Sequence, residues 1–230
     1  MGTTAVLTLD VEQPVVHYLP DVPDPDMTVA DLVHHTSGLP RLPARMRDRV
    51  FGDPYHDAVG VPLDLALVVS AGHRGQYVYS NLGYAVLGAV LDRVHGDWSA
   101  AREHVLEPAG VRSATLAPPS TERAVPKLFG RPVRPWDLGN SSFAAAGGMW
   151  STFEDLCRYA DWVLESGPDR LRSVSWRREG ATTWINGEVR AAGASIVNVR
   201  GITAVVHALA KAPHAADGIA TALIQQELAA

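Results

Sequence analysis

Two residue types are scarce in this chain. It has one cysteine, Cys157, and two lysines, Lys127 and Lys211. A single cysteine excludes an intramolecular disulfide. Cys157 falls in a helical pattern and reads as a small buried hydrophobe. With a net charge of −5, the chain lacks the basic footprint of a nucleic-acid binder. Arg172, Arg177 and Arg178 come nearest to a basic cluster, and such a run reads as a solvated face. No run of about 18 apolar residues exists, so no membrane span is expected. The start, MGTTAVLTLDVEQP, has neither the basic lead nor the apolar core of a secretion signal. Position 6 is Val6 and not the Ser or Thr that myristoylation needs. The expected compartment is the cytoplasm. No Gly-x-Ser-x-Gly elbow, zinc-type His-x-Glu or Cys-x-x-Cys spacing, or phosphate loop is present. No metal and no cofactor are therefore expected.

What is present fits one globular domain of α+β class. The 230 residues are 47% hydrophobic and 20% charged, and a chain of this length buries roughly 70% of its unfolded surface. Residues 5–20 read as an extended lead-in, and PDVPDPD at 20–26 as a turn cluster. Thr28 and Asp31 form a capping box, with Met27 and Leu32 as its hydrophobic staple, and the helix ends by Gly38 and Pro40. Residues 41–60 read as loop. Pro62 opens a helix running to Gly72. Ser80 caps the longest helix, whose stripe is Leu82, Val86, Leu87, Val90, Leu91 and Val94, ending at Gly96. A helix over 98–107 and an irregular stretch over 110–142 follow. Ser151 and Glu154 form a second capping box, for a helix that turns Phe153, Leu156, Tyr159, Ala160, Val163 and Leu164 inward and stops at Gly167. Residues 182–189, 194–199 and 202–209 read as about three antiparallel strands. Asp217 caps a last helix carrying Ile219, Leu223, Ile224 and Leu228. The expected lobes are helical over 20–168, then sheet and helix over 180–230.

Three segments depart from generic helix chemistry: Asp31-Leu32-Val33-His34-His35-Thr36-Ser37-Gly38-Leu39-Pro40; Tyr79-Ser80-Asn81; and Ala146-Gly147-Gly148-Met149-Trp150-Ser151-Thr152-Phe153-Glu154-Asp155-Leu156. In this order, with the turn Glu107-Pro108-Ala109-Gly110-Val111, they resemble the serine β-lactamase and penicillin-binding protein superfamily. The resemblance is nearest to its class C β-lactamase, esterase and D-aminopeptidase-like branch. It covers roughly residues 8–165 well and the strands more loosely. It implies a truncated β-lactamase-like fold.

The same resemblance implies a serine nucleophile with a lysine one helical turn later, and neither is found. Ala124 and Ala208 stand three residues before the two lysines. In the family the nucleophile helix precedes the segment that is here Leu7-Thr8-Leu9-Asp10, so the chain is expected to begin after that helix and to lack the first two strands of the sheet. No Lys-Thr-Gly or His-Thr-Gly occurs. The best register puts the third motif on Gly187-Glu188-Val189.

What survives is Tyr79 and Asn81, which in the family face the cleft. Packing of Tyr79 and a polar turn role for Asn81 is the plain alternative. Glu188 is a candidate general base or an exposed strand residue. Trp184, Asn186 and Glu188 share one strand face, a ligand wall or a solvated edge, and Trp150 joins them as a substrate-binding candidate. His35, Thr36 and Ser37 read as cap and turn chemistry. His207 reads as a core histidine.

The function expected is a small-molecule enzyme that reuses the cleft without covalent catalysis. It would promote cyclisation, isomerisation or rearrangement by positioning and acid/base help. A composition rich in Ala and Arg associates it with bacterial secondary metabolism. The alternative is a non-catalytic ligand-binding or scaffold protein, with an apolar patch open to closure by homodimerisation. A serine hydrolase with Ser80 or Ser195 as substitute nucleophile comes third, because losing the nucleophile costs on the order of a millionfold in rate.

Overall fold

The computed structural model describes residues 1–47, 52–70, 72–174, 176–190, 192–210, 212 and 214–229. They form two compact units. One is Met1–Pro108 with Asp137–Trp150, and the other is Ala109–Trp136 with Ser151–Ala230. Lys211 and Ala71 lie outside the described residues.

The first unit is helical. It holds α1 (Gly2–Thr8), α2 (Val29–Val33), α3 (Ala44–Arg47), α4 (Asn81–His95), α5 (Trp98–Leu106) and α6 (Ala144–Gly147). Helix α4 is its spine. The Ser80 hydroxyl accepts the Gly83 N–H at 2.8 Å, satisfying one of the orphan donors of a helix start. Leu82, Val86, Leu87, Val90 and Leu91 are fully buried, each worth about 1.5–3 kcal/mol relative to exposure. Val94 is 43% exposed, so the stripe stops one turn short of the expected end. Gly96, at φ +78°, ends the helix. A Cβ on Gly88 would lie 2.6 Å from the Ala145 Cβ, which shows how closely α4 and α6 approach. In α2 the Asp31 N–H donates to Thr28 Oγ1 and the Thr28 N–H to Asp31 Oδ2, both at 3.1 Å. Met27 and Leu32 are buried as the staple requires.

The second unit carries a small hairpin, β1 (Lys127–Leu128) with β2 (Arg131–Pro132), and an antiparallel sheet. The sheet strands are β3 (Arg177–Glu179), β4 (Thr182–Val189), β5 (Ala192–Val199) and β6 (Ile202–Ala208), paired in chain order. Helices α7 (Phe153–Asp161), α8 (Asp169–Val174) and α9 (Ala215–Ala229) complete it. Ala216, Ala220 and Ile224 of α9 pack on Ala204, Val206 and Ala208 of β6. The register Ser195↔Val206 and Asn186↔Ser195 turns Asn186 to that same face, and with it Trp184 and Glu188 by the two-residue period.

Several expectations are corrected. Residues 2–8 are helical where an extended lead-in was expected, because Ala5 and Val6 are buried where α1 meets α2 and α5. The helix expected from Pro62 to Gly72 is a single 3-10 turn, Leu65–Leu67. The Asp64 carboxylate takes the Ala66 N–H at 3.1 Å, a local bond that competes with helix propagation. The cap of α7 is Thr152, which accepts the Asp155 N–H, and not Ser151. Phe153 is 50% exposed and does not point inward. The helix continues as a π turn, Trp162–Ser166, and stops at Gly167. A fourth strand, β3, joins the three expected, using Arg177 and Arg178. In α9 the expected Asp217 cap lies inside the helix. Ile219, Leu223 and Leu228 are nearly half exposed, while Ala216 and Ala220 face the sheet. His207 is exposed on β6 and is not a core histidine. Cys157 is half-buried, and burial pushes its thiol pKa up, with Asp161 and Glu154 adding to it. Among the described residues no helix is long and apolar enough to cross a membrane.

Candidate functional site

The Tyr79-Ser80-Asn81 segment is held from below. The Ser80 hydroxyl donates to the Pro40 carbonyl at 2.8 Å. The Arg41 carbonyl accepts the Asn81 and Leu82 N–H groups at 3.0 and 3.3 Å. The Gly38–Arg41 stretch therefore serves as a platform for the first turn of α4. Gly38 is required there, since its φ is +73° and a Cβ would meet the Ser70 hydroxyl at 2.5 Å and the Gly72 carbonyl at 2.9 Å. Such backbone favours glycine.

His35 is the second support. The Ser80 N–H donates to its Nδ1 at 3.1 Å, so the neutral ring carries its proton on Nε2. Its carbonyl accepts the Val78 N–H at 2.8 Å. The ring stacks on Tyr84 at 4.6 Å, tilts against Tyr79 at 4.7 Å and meets Tyr77 edge-on at 5.8 Å. His35 adopts φ +59°, an uncommon conformation for a residue other than glycine. Burial, with His34 adding to it, pushes its pKa down to about 4. It is a neutral acceptor at neutral pH. Thr36 Oγ1 donates to Asp31 Oδ1 at 3.1 Å and Ser37 Oγ accepts the Leu39 N–H at 3.4 Å, which is turn chemistry.

On top of this platform Tyr79 is 42% exposed and Asn81 only 8%. The Asn81 Nδ2 donates to the Tyr55 hydroxyl at 2.8 Å. Tyr55 is buried, and burial pushes its pKa up to about 12. Burial also raises that of Tyr79, against the pull of Arg41. Both phenols are therefore protonated at neutral pH and available as donors. The Arg41 guanidinium lies over the Tyr79 ring, 5.6 Å from its centroid, within range of a cation–π contact. Tyr55, in a stretch read as loop, had no sequence signal beyond being an aromatic among polar residues.

Neither substitute serine is accessible. Ser80 is 1% exposed, with its hydroxyl committed as donor and acceptor. Ser195 is fully buried and its hydroxyl has no partner among the described residues.

In the second unit, β4 brings Asn186 and Glu188 to the start of α9. Asn186 Nδ2 donates to Asp217 Oδ2 at 2.8 Å, and Glu188 Oε1 accepts the His214 N–H at 3.2 Å. His214 Nδ1 lies 3.4 Å from Asp217 and 4.0 Å from Glu188. The cavity among them holds about 20 Å³, room for a water molecule and not a substrate. Trp184 is covered by the Arg177 guanidinium at 5.7 Å. Trp150 ends the first unit, half-buried. The structure thus brings Tyr79 and Asn81 together with Tyr55, and Asn186 and Glu188 together with His214 and Asp217. His214 carried no sequence signal. Among the described residues no group of three or more His, Cys, Asp or Glu could hold a metal ion.

A buried carboxylate, Asp155, organises the turn after residue 109. It accepts the Arg112 and Ser113 N–H groups at 2.8 and 2.6 Å and pairs with Arg158. Burial alone would raise its pKa, but the bonds from Ser113, Arg112 and Arg158 outweigh it and hold the carboxyl well below the usual range.

Comparison with known proteins agrees with the motifs. Residues 8–208 match the family model described as Beta-lactamase. A human protein, beta-lactamase-like 1, is 32% identical over 179 residues, covering 75% of this chain and 34% of its own length. The unguisins hydrolase of Aspergillus campestris is 28% identical over 175 residues, covering 66% of this chain and 30% of its own. The chain thus spans about a third of the length of the curated relatives it matches. The octameric penicillin-binding protein homologue of Pyrococcus abyssi superposes with a TM-score of 0.69 at 18% identity, over 99% of this chain and 64% of that one.

Proposed function

The chain belongs to the beta-lactamase family, and from that premise we propose that it is a small-molecule enzyme that works without a covalent intermediate on its own serines. The observation that carries this reading is the pair of neutral phenols, with Tyr79 half-exposed over a fixed platform, set against the buried hydroxyls of Ser80 and Ser195. A protonated tyrosine donates a hydrogen bond or a proton to a developing negative charge. Asn81 and Tyr55 fix its surroundings. The reaction class is a cyclisation, isomerisation or rearrangement, and the setting is secondary metabolism. The name of the unguisins hydrolase supports a small-molecule substrate in that relative.

The base role of Glu188 stands as a separate proposal. Its carboxylate already holds the His214 N–H, so Glu188→Gln tests chemistry against that tie. A second reading, a non-catalytic ligand binder, is favoured by the commitment of the Asn81 amide to Tyr55, which leaves Tyr79 as the exposed side chain of the Tyr79-Ser80-Asn81 motif.

The deciding experiment is turnover and binding of a candidate substrate panel by the wild type and Tyr79→Phe. The enzyme reading expects a loss of about 10²–10⁴-fold in kcat, the range of general acid–base help, with binding nearly kept. Equal turnover in both proteins, with binding intact, refutes it. Self-association, which the octameric homologue supports, is read by light scattering on the same sample.

A further inference from the structure

We infer that Arg41 is the anchor for an anionic group, a carboxylate by chemistry, on whatever small molecule lies against Tyr79. The inference rests on the reading of that surface as a small-molecule site and names the class of its ligand.

Arg41 is fixed where it stands by its own backbone. Its carbonyl receives two N–H groups from the first turn of α4, so the residue cannot drift from the Tyr79 motif without opening that turn. Its side chain is exposed and its guanidinium lies over the Tyr79 ring, 5.6 Å from the centroid. One side of the guanidinium thus faces an aromatic ring. Among the described residues no carboxylate pairs with it. The Asp53 carboxylate is tied to backbone. Its two oxygens take the Tyr55 and Asp137 N–H groups, each at 2.9 Å.

A guanidinium that lies over Tyr79 beside neutral phenols, with no carboxylate partner among the described residues, can meet an anion. Its planar fork matches a carboxylate with two parallel N–H···O bonds, which a lysine in its place would not reproduce. The positive charge reaches both phenols, pulling the pKa of Tyr79 and of Tyr55 downward against burial. It therefore also favours any negative charge that develops next to them.

The test uses phenylacetate and its neutral isostere phenylacetamide as probes. Binding is followed by ¹⁹F NMR of the full chain labelled with 3-fluorotyrosine, with the Tyr79 resonance assigned by its loss in Tyr79→Phe. Phenylacetate is expected to shift that resonance and to bind at least about tenfold tighter than the amide, the usual gain of charge-assisted bonds. Arg41→Gln should abolish the preference, bringing the phenylacetate affinity down to that of the amide in the same variant. Arg41→Lys should keep only part of it. Equal affinities in the wild type, or a preference that survives Arg41→Gln, overturn the assignment of Arg41 and leave the cleft reading intact. Failure of both probes to move the Tyr79 resonance overturns the two together. The thermal transition of each variant reports folding independently and is expected to stay cooperative and fall only slightly, because among the described residues the guanidinium makes no ion pair and loses only its contact over the Tyr79 ring.

Discussion

Replacing His35 by Asn separates the pH sensitivity of the motif from its geometry. Asn keeps an acceptor near the position of Nδ1 and tolerates the φ of +59°, but it does not titrate. In the wild type, burial and then the charge of His34 push the ring's pKa from 6.5 down to about 4. Between those values the unfolded chain binds a proton that the folded chain refuses. Stability therefore falls as the pH drops through the unfolded pKa, and levels off below about 4. Linkage makes the loss between about pH 7 and about pH 5 roughly 2 kcal/mol, and the full loss roughly 3 kcal/mol. Urea denaturation at those two pH values measures it. The His35→Asn chain should be less stable at neutral pH, because the stacking on Tyr84 and Tyr79 is lost. Its stability should change less on acidification than that of the wild type by about 2 kcal/mol. Parallel losses in the two chains, within about 0.5 kcal/mol, would refute both the burial of the ring and its role as neutral acceptor for Ser80.

Two further predictions concern the frame. Asp155→Asn removes a buried carboxylate that holds two backbone N–H groups and Arg158, and should cost about 2–4 kcal/mol by thermal denaturation. Because the folded pKa of Asp155 is depressed, that contribution is present above the ordinary carboxylate range and fades as the pH falls through the folded value. A pH-independent effect would show the bonds to be unimportant. On α9, Ile224→Ala should cost about 2–4 kcal/mol while Ile219→Ala stays below about 1 kcal/mol, since Ile224 is 4% exposed and Ile219 47%. Equal costs would mean that a different helix face meets the sheet.

The sequence made the α4 helix and the α2 box legible because each combined a cap with a matching apolar period. It also made three of the four sheet strands legible, from runs of Val, Ile and Thr broken by Gly-containing turns. It misled where two signals competed. Thr4, Val6 and Thr8 favour strands by propensity, yet burial of Ala5 and Val6 carries them into a helix, a tertiary override. Ser151 and Thr152 both begin a cap-like pattern. The second wins because Thr152 caps the helix while Asp155 turns to Arg112 and Ser113. In α9 the bulkiest residues suggested the inner face, but small Ala216 and Ala220 let the helix sit close to β6. The Tyr79 and Asn81 motif was readable by resemblance. Tyr55 was not, because its contact with Asn81 spans 26 residues and no periodicity encodes it. Asn186 and Glu188 were correctly placed on one face by the two-residue period, but their partners, His214 and Asp217, come from the far side of two strands.

The most direct test of the central claim is the intact mass of the chain after incubation with a β-lactam and, separately, with a fluorophosphonate. The serines at 80 and 195 are buried, and no Ser-x-x-Lys pair exists in this sequence. The account therefore predicts an unchanged mass with both reagents. A stoichiometric adduct on any serine would contradict it, and the peptide carrying the adduct would name the nucleophile.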